Sequence, residues 1–280
     1  MATIDPITPF PESSLTDTVN QPVLSAVEGL IDAALQGRDA KAPKRDYLGA
    51  SRLGVACSRA LQYEYTHTPR DRGFSGRALR VFEMGHALEG MGLNWLREAG
   101  FDIRTHQGNG ETFGFSVAGG RIKGHVDGVV YAAPPETGIS YPALWECKSM
   151  NARNWKQTVE KGVRVAKPAY AVQIALYQAY MEGSVPGIAK NPALLTAVNK
   201  DTAELYHELV PFDAALAQEA SDRGVNILRA TDAQELLPRI STDSDYFECR
   251  FCDWKDRCWA NSCNPLLWKP LTGGTDAPFQ

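Results

Sequence analysis

The sequence predicts an α/β fold whose core is a mixed sheet flanked by helices, and three observations carry that expectation. Residues 78–99 repeat apolar side chains at helical spacing and stop before Gly100. Strand-like segments at 112–118, 121–131 and 142–148 follow, read as antiparallel. A helix over 168–182, stopped by Gly183, then leads to a further strand at 193–199. At 280 residues the chain is one large domain, or a domain with an appendage, with room for a sizeable core.

Taken in order, residues 1–22 are rich in Pro, Thr and Ser and read as a loose arm; 23–37 read as a short amphipathic helix. A helix over 51–65 is expected, with Ser51 as its cap and Cys57 inside it. In the 78–99 helix, Val81, Met84, Leu88, Met91 and Trp95 form one apolar stripe, and Phe82, Leu93 and Leu96 a second. Apolar on two sides, it is expected to be buried, yet the second stripe also carries His86 and Glu89. Gly119-Gly120 separates the first two strand-like segments; 204–210 adds a possible strand, 213–230 a helix, and 246–263 a compact cysteine-rich tail. The expected division is an arm and short helix over 1–45, a domain over 46–263 and a tail over 264–280.

Hydrophobic content of 44% and charged content of 22% are ordinary for a globular protein. No apolar stretch approaches membrane-spanning length and no signal sequence opens the chain, so a cytoplasmic setting without membrane contact is expected. Six cysteines in a reducing compartment suggest metal more than disulfides. The net charge of −4 gives no global sign of nucleic-acid binding, but the local balance does. Residues 148–167 hold Lys148, Arg153, Lys156, Lys161, Arg164 and Lys167 against Glu160 alone, and 44–80 are also basic. Each stretch fits a phosphate track, or a solvated charged face.

The segment ALWECKSMN, 143–151, runs from apolar residues straight into Glu146, Cys147 and Lys148. Alternation places Glu146 and Lys148 on one face of the strand and Cys147 on the other. A carboxylate and an ammonium ending a core strand pair as a salt bridge, bind metal or do chemistry. Asp39-Ala40-Lys41 and Asp253-Trp254-Lys255 repeat the acid–any–Lys spacing, so the triplet alone decides nothing. Upstream, GGRIKGHVDGVV places Asp127 at a strand end, followed by Gly128, which lets another backbone approach. Asp127, Glu146 and the Cys147 carbonyl can ligate a hard divalent cation, while Lys148 orients the attacking water or neutralises the phosphate. His86 can add a nitrogen ligand, favouring Mn²⁺ as well as Mg²⁺, with Glu89 in reserve and His125 as a flanking candidate. Gln173 and Tyr177, four apart, form a hydrogen-bonding pair on one helix face.

In this order, His86, Asp127, Glu146-x-Lys148 and Gln173-x-x-x-Tyr177 resemble the PD-(D/E)XK nuclease superfamily in its RecB-like branch, over residues 46–263. The resemblance implies a restriction-endonuclease-like core and metal-dependent cleavage of DNA, with Asp127, Glu146, Lys148, Gln173 and Tyr177 as catalytic residues. His86, Asp127, Glu146 and Cys147 become its metal ligands. Gly124-His125-Val126-Asp127 lacks the proline of the motif's name.

The tail ECRFCDWKDRC spaces Cys249, Cys252 and Cys258, with Cys263 five further on. By spacing alone, Cys263 or the distant Cys57 can complete a zinc knuckle. GASRLGVACSRALQYEY, however, resembles the amino-terminal cysteine segment of RecB-like nucleases that close a [4Fe–4S] cluster between the chain ends. Those include CRISPR-adaptation nucleases and phage recombination exonucleases. The likeness implies Cys57, Cys249, Cys252 and Cys258 as ligands of a cluster that acts as a staple. It further implies a DNA exonuclease of recombination or end processing, working on ends or single strands beside an annealing protein or other recombination factor. A DNA-trimming nuclease of spacer acquisition and a non-catalytic iron–sulfur or zinc DNA-binding module are the alternatives. No helicase-type phosphate loop is present.

Overall fold

A long apolar strand pair at the centre organises the chain. The structure, a computed structural model, describes residues 21–260. Helix α1 spans Gln21–Lys41, longer at both ends than expected. Strand β1 (Leu48–Gly49), a 3-10 turn (Ala50–Arg52) and α2 (Ser58–Tyr65) follow, then α3 (Gly76–Glu98). The strands β2 (Asp102–Arg104), β3 (Gly114–Val117), β4 (Ile122–His125), β5 (Gly128–Ala132) and β6 (Ala143–Met150) come next. After them run α4 (Ala152–Lys161), α5 (Val163–Ala166), α6 (Pro168–Met181), β7 (Ala193–Asn199) and β8 (Leu205–Val210). Helices α7 (Ala214–Asp232), α8 (Phe247–Arg250) and α9 (Lys255–Ala260) complete the described chain.

The main sheet has the order β2-β5-β6-β7-β8. β6 and β7 are parallel, joined through α4, α5 and α6, and every other pair is antiparallel. A second sheet, β1-β4-β3, pairs β1 with β4 in parallel. The α/β class with mixed sheets and flanking helices is therefore as expected. β7 is buried along its whole length, as a central strand covered on both faces demands. Leu144 and Leu195 face one core with α6 and α7, while Trp145, Cys147 and Leu194 face the other, with Leu96 of α3.

Contacts divide the chain into two compact units. One takes the chain up to Ala42 together with Phe74–Leu79; the other holds Pro43–Gly73 and the chain from Arg80.

Several expectations are corrected. Residues 121–131 are two strands in different sheets, because the chain leaves the small sheet after His125 and joins the large one at Gly128. Cys57 is not inside a helix over 51–65: it is the N-cap of α2, and Ser51 lies in the 3-10 turn. α3 is not buried on two sides, since Val81, Phe82, Met84 and Met91 are exposed. The physical reason is glycine. A Cβ at Gly92 would lie 3.3 Å from the Cys147 sulfur, and one at Gly85 3.6 Å from Ser149 Oγ. α3 thus sits on β6 through a glycine face, which turns Met84 and Met91 outward. The expected arm up to residue 20 and Cys263 lie outside the described residues.

Candidate active site

Strand alternation puts Glu146 and Lys148 together beneath α6, as the sequence implies, and Cys147 beneath α3. Glu146 is fully buried. Its Oε1 accepts from Gln173 Nε2 at 2.6 Å and contacts the Lys148 ammonium. Its Oε2 has no hydrogen-bond partner. Asp127, at the crossing between β4 and β5, accepts the Cys147 backbone N–H on Oδ2 at 2.8 Å. Each carboxylate thus commits one oxygen to the protein and holds the other back. A buried carboxylate oxygen without a donor is costly, and a cation removes that cost.

The electrostatics agree. Burial pushes the Glu146 carboxyl up to about 8, against the pull of Lys148 and with the help of the Asp127 charge. Desolvation also raises Asp127, opposed by Lys148, the Cys147 N–H and His86. Asp127 nonetheless keeps part of its surface open, and that accessibility is what an incoming ion meets. Glu89 is raised by burial and by Asp127. Three carboxyls that hinder one another's ionisation form a site suited to positive charge. Desolvation would lower Lys148, but the charges of Glu146 and Asp127 outweigh it and hold the ammonium above its usual range. Only 20% of the Lys148 side chain is exposed.

Gln173 and Tyr177 lie on the α6 face that meets β6. Tyr177 packs edge-on against Phe115, and burial, then the Glu146 charge, raises its phenol. Gly124 admits it: a Cβ there would stand 2.7 Å from the Tyr177 ring. Tyr170, one turn before Gln173, has its ring 5.1 Å from Lys148 Nζ. Tyr170 is not among the residues the sequence singles out, although 170, 173 and 177 share the i, i+3, i+7 spacing of one helix face.

His86 and Glu89 differ in placement. Glu89 is half-buried on the glycine face of α3, within electrostatic reach of Asp127, Glu146 and Cys147. His86 is exposed, within reach of Asp127 and Glu89. His125 is exposed and lies against Gly114 in the small sheet. Burial pushes the Cys147 thiol up to about 12, so it stays protonated and only its carbonyl is a candidate ligand. Among the described residues, no group of three or more His, Cys, Asp or Glu side chains is drawn close enough to hold a metal ion as it stands.

The four sequence-selected cysteines come together elsewhere. Cys57, Cys249, Cys252 and Cys258 line one cavity of about 160 Å³ with Arg59, Tyr63 and Trp259. All four are free thiols, and Arg59 Nη1 donates to Cys258 Sγ at 3.6 Å. Beside Cys57, Gln62 donates to the Glu235 carbonyl at 2.7 Å and accepts the Leu237 N–H at 2.9 Å, both upstream of the second cysteine segment, whose Trp254 Nε1 donates to the Thr68 carbonyl at 2.9 Å. Asp71 accepts the backbone N–H of Asp256 at 2.6 Å.

The family model described as the PD-(D/E)XK nuclease superfamily matches residues 21–259. Among solved structures, SSO0001 is similar at 17% identity, covering 84% of this chain and 97% of that one, with a TM-score of 0.44. The alkaline exonuclease LHK-Exo from Laribacter hongkongensis is similar at 15% identity, alone and in complex with dAMP. It covers 74% of this chain and 93% of its own, with a TM-score of 0.46. No curated protein matches. Among the described residues, no helix is long and apolar enough to cross a membrane.

Proposed function

The chain belongs to the PD-(D/E)XK nuclease superfamily, and from that premise we propose that it is a divalent-metal-dependent DNA exonuclease working in recombination or DNA end processing. The observation that carries the proposal is the unpartnered, fully buried Glu146 Oε2 beside Asp127 and Lys148.

Asp127 and Glu146 would hold Mg²⁺ or Mn²⁺, with the Cys147 carbonyl and either Glu89 or His86 from α3. The bound cation would supply Lewis acidity toward the phosphodiester and its attacking water. Gln173 holds the Glu146 carboxylate in its rotamer, and the N–H of Cys147 holds Asp127. Lys148 presents positive charge where the phosphate accumulates negative charge. Tyr177 closes the α6 face behind Gln173.

A phosphate track is supported by α4, which leaves β6 directly after the site. Asn151 caps it, accepting from the Asn154 N–H at 2.9 Å, and Trp155 Nε1 pins it to the Ala197 carbonyl at 3.2 Å. Arg153 and Lys156 remain exposed on it. DNA ends or single strands are the proposed substrate, with an annealing protein or other recombination factor as partner.

The RecB-like iron–sulfur branch is also proposed. Four thiols line one cavity, the ligand number of a [4Fe–4S] cluster and of a tetrahedral zinc alike, and the likeness of the cysteine segments favours the cluster. Cys57, Cys249, Cys252 and Cys258 would hold it as a staple of a nuclease domain spanning 46–263.

The test is a time course on end-labelled linear and circular DNA with Mg²⁺, Mn²⁺ or chelator. Progressive loss of linear DNA with circles intact supports the proposal. Cutting of circles would make it an endonuclease, and binding without cleavage a DNA-binding module.

A further inference from the structure

We propose that Tyr170 is a positioning residue for Lys148, its ring face holding the ammonium at the site. The Nζ lies 5.1 Å from the ring centroid, inside the roughly 6 Å range over which an aromatic face attracts a cation. Lysine needs such a guide: its four-carbon stem is flexible and its charge is a point without directional fork. Lys148 also pairs with Glu146 Oε1, which is shared with Gln173, and feels the Asp127 charge. Glu146 is also the carboxylate whose remaining oxygen is open to a cation. An ion taken up there competes with Lys148 for the Glu146 and Asp127 charges, whereas the ring is not among the residues that would hold the ion. Tyr170 therefore keeps Lys148 in place when its carboxylate partner is engaged.

The helix is built for this. Pro168 occupies the first turn of α6, where its missing N–H is not needed and its fixed φ starts the helix. Tyr170 then rises in that same turn, with Gln173 and Tyr177 above it on one face. One helix face thus meets both members of the strand pair: Tyr170 meets Lys148, and Gln173 meets Glu146. The contact is with the ring face, so phenylalanine is expected to substitute for tyrosine and an aliphatic residue is not.

The kinetic arm of the test rests on the nuclease proposal; the contact itself does not. In the full-length protein, Tyr170→Phe is expected to keep kcat within about twofold, and Tyr170→Leu to lower it roughly 3- to 30-fold with KM for DNA unchanged. Equal losses in both variants, or a loss in KM alone, would overturn the proposal. A second readout needs no catalysis: thermal melting of the chelated protein carrying Tyr170→Leu, Lys148→Met or both. Non-additive shifts support the contact and additive shifts overturn it. Should Tyr170→Leu fail to fold, Tyr170→Met serves in both arms. A wild-type protein that cleaves no DNA would end the nuclease proposal, and the melting cycle would then decide on Tyr170 alone.

Discussion

Gln173 Nε2 donates to Glu146 Oε1 at 2.6 Å, so the helix fixes which oxygen of a fully buried carboxylate is taken and which is open. Removing that donor tests the site. Gln173→Leu is expected to weaken divalent-cation affinity and cleavage by about 10- to 100-fold, the usual effect of losing a partner that orients a ligand. Mg²⁺ titration of activity, with calorimetry of cation binding, measures both.

A structural ion pair tolerates exchange of its members, and a catalytic pair does not. The double variant Glu146→Lys with Lys148→Glu is expected to cleave no DNA. Lys148→Ala is expected to lose on the order of 10²- to 10³-fold in rate while still binding cation and DNA. Glu146→Ala is expected to lose cation affinity as well. Wild-type cleavage rates in the swapped protein would falsify the catalytic roles of Glu146 and Lys148.

Much of this constellation was legible from the chain. Glu146 and Lys148 share a face because strands alternate, and Gln173 and Tyr177 share one because helices repeat. Tyr170 escaped because an aromatic residue in the first turn of an apolar helix reads as core. The expected burial of α3 fails for a different cause: apolar stripes stand out in a sequence, while Gly85 and Gly92, which have no side chain, set the packing face. The break at Val126–Asp127 escaped because one unbroken strand and two consecutive strands in different sheets carry the same alternation.

The pH dependence of stability follows from the buried carboxyl. Burial raises Glu146 from an ordinary 4.5 to about 8. The folded state therefore holds a proton that the unfolded state releases, and chelated protein is expected to lose stability as pH rises from about 4.5 through about 8. Lys148 does not oppose this, because its raised value acts only above its ordinary 10.5. Mg²⁺ is expected to abolish the loss, and Glu146→Gln to make the chelated curve shallower, the raised Asp127 and Glu89 carboxyls retaining the rest. Melting temperatures across pH 5 to 9 check all three.

Placement separates the two α3 candidates. Glu89, half-buried on the glycine face, is expected to cost more when changed to Gln than exposed His86 does when changed to Ala. A nitrogen ligand at His86 would show instead as a large loss in His86→Ala partly restored by raised Mn²⁺. Activity against Mn²⁺ concentration for the two variants distinguishes them.

Colour reports on the thiols. Anaerobically purified protein is expected to be brown with about four irons. Cys57→Ala is expected to bleach it, while Cys147→Ala and Cys263→Ala leave the iron content unchanged. A colourless protein with one zinc, indifferent to Cys57→Ala, would replace the cluster with a knuckle.

The hydrogen bonds between the two cysteine segments have a consequence for single-cysteine variants. Asp71 accepts the backbone N–H of Asp256, and Trp254 Nε1 donates to the Thr68 carbonyl, with no thiol taking part. Loss of one sulfur therefore leaves this docking untouched, and Cys57→Ala changes what the cavity can hold without removing the bonds that bring its walls together.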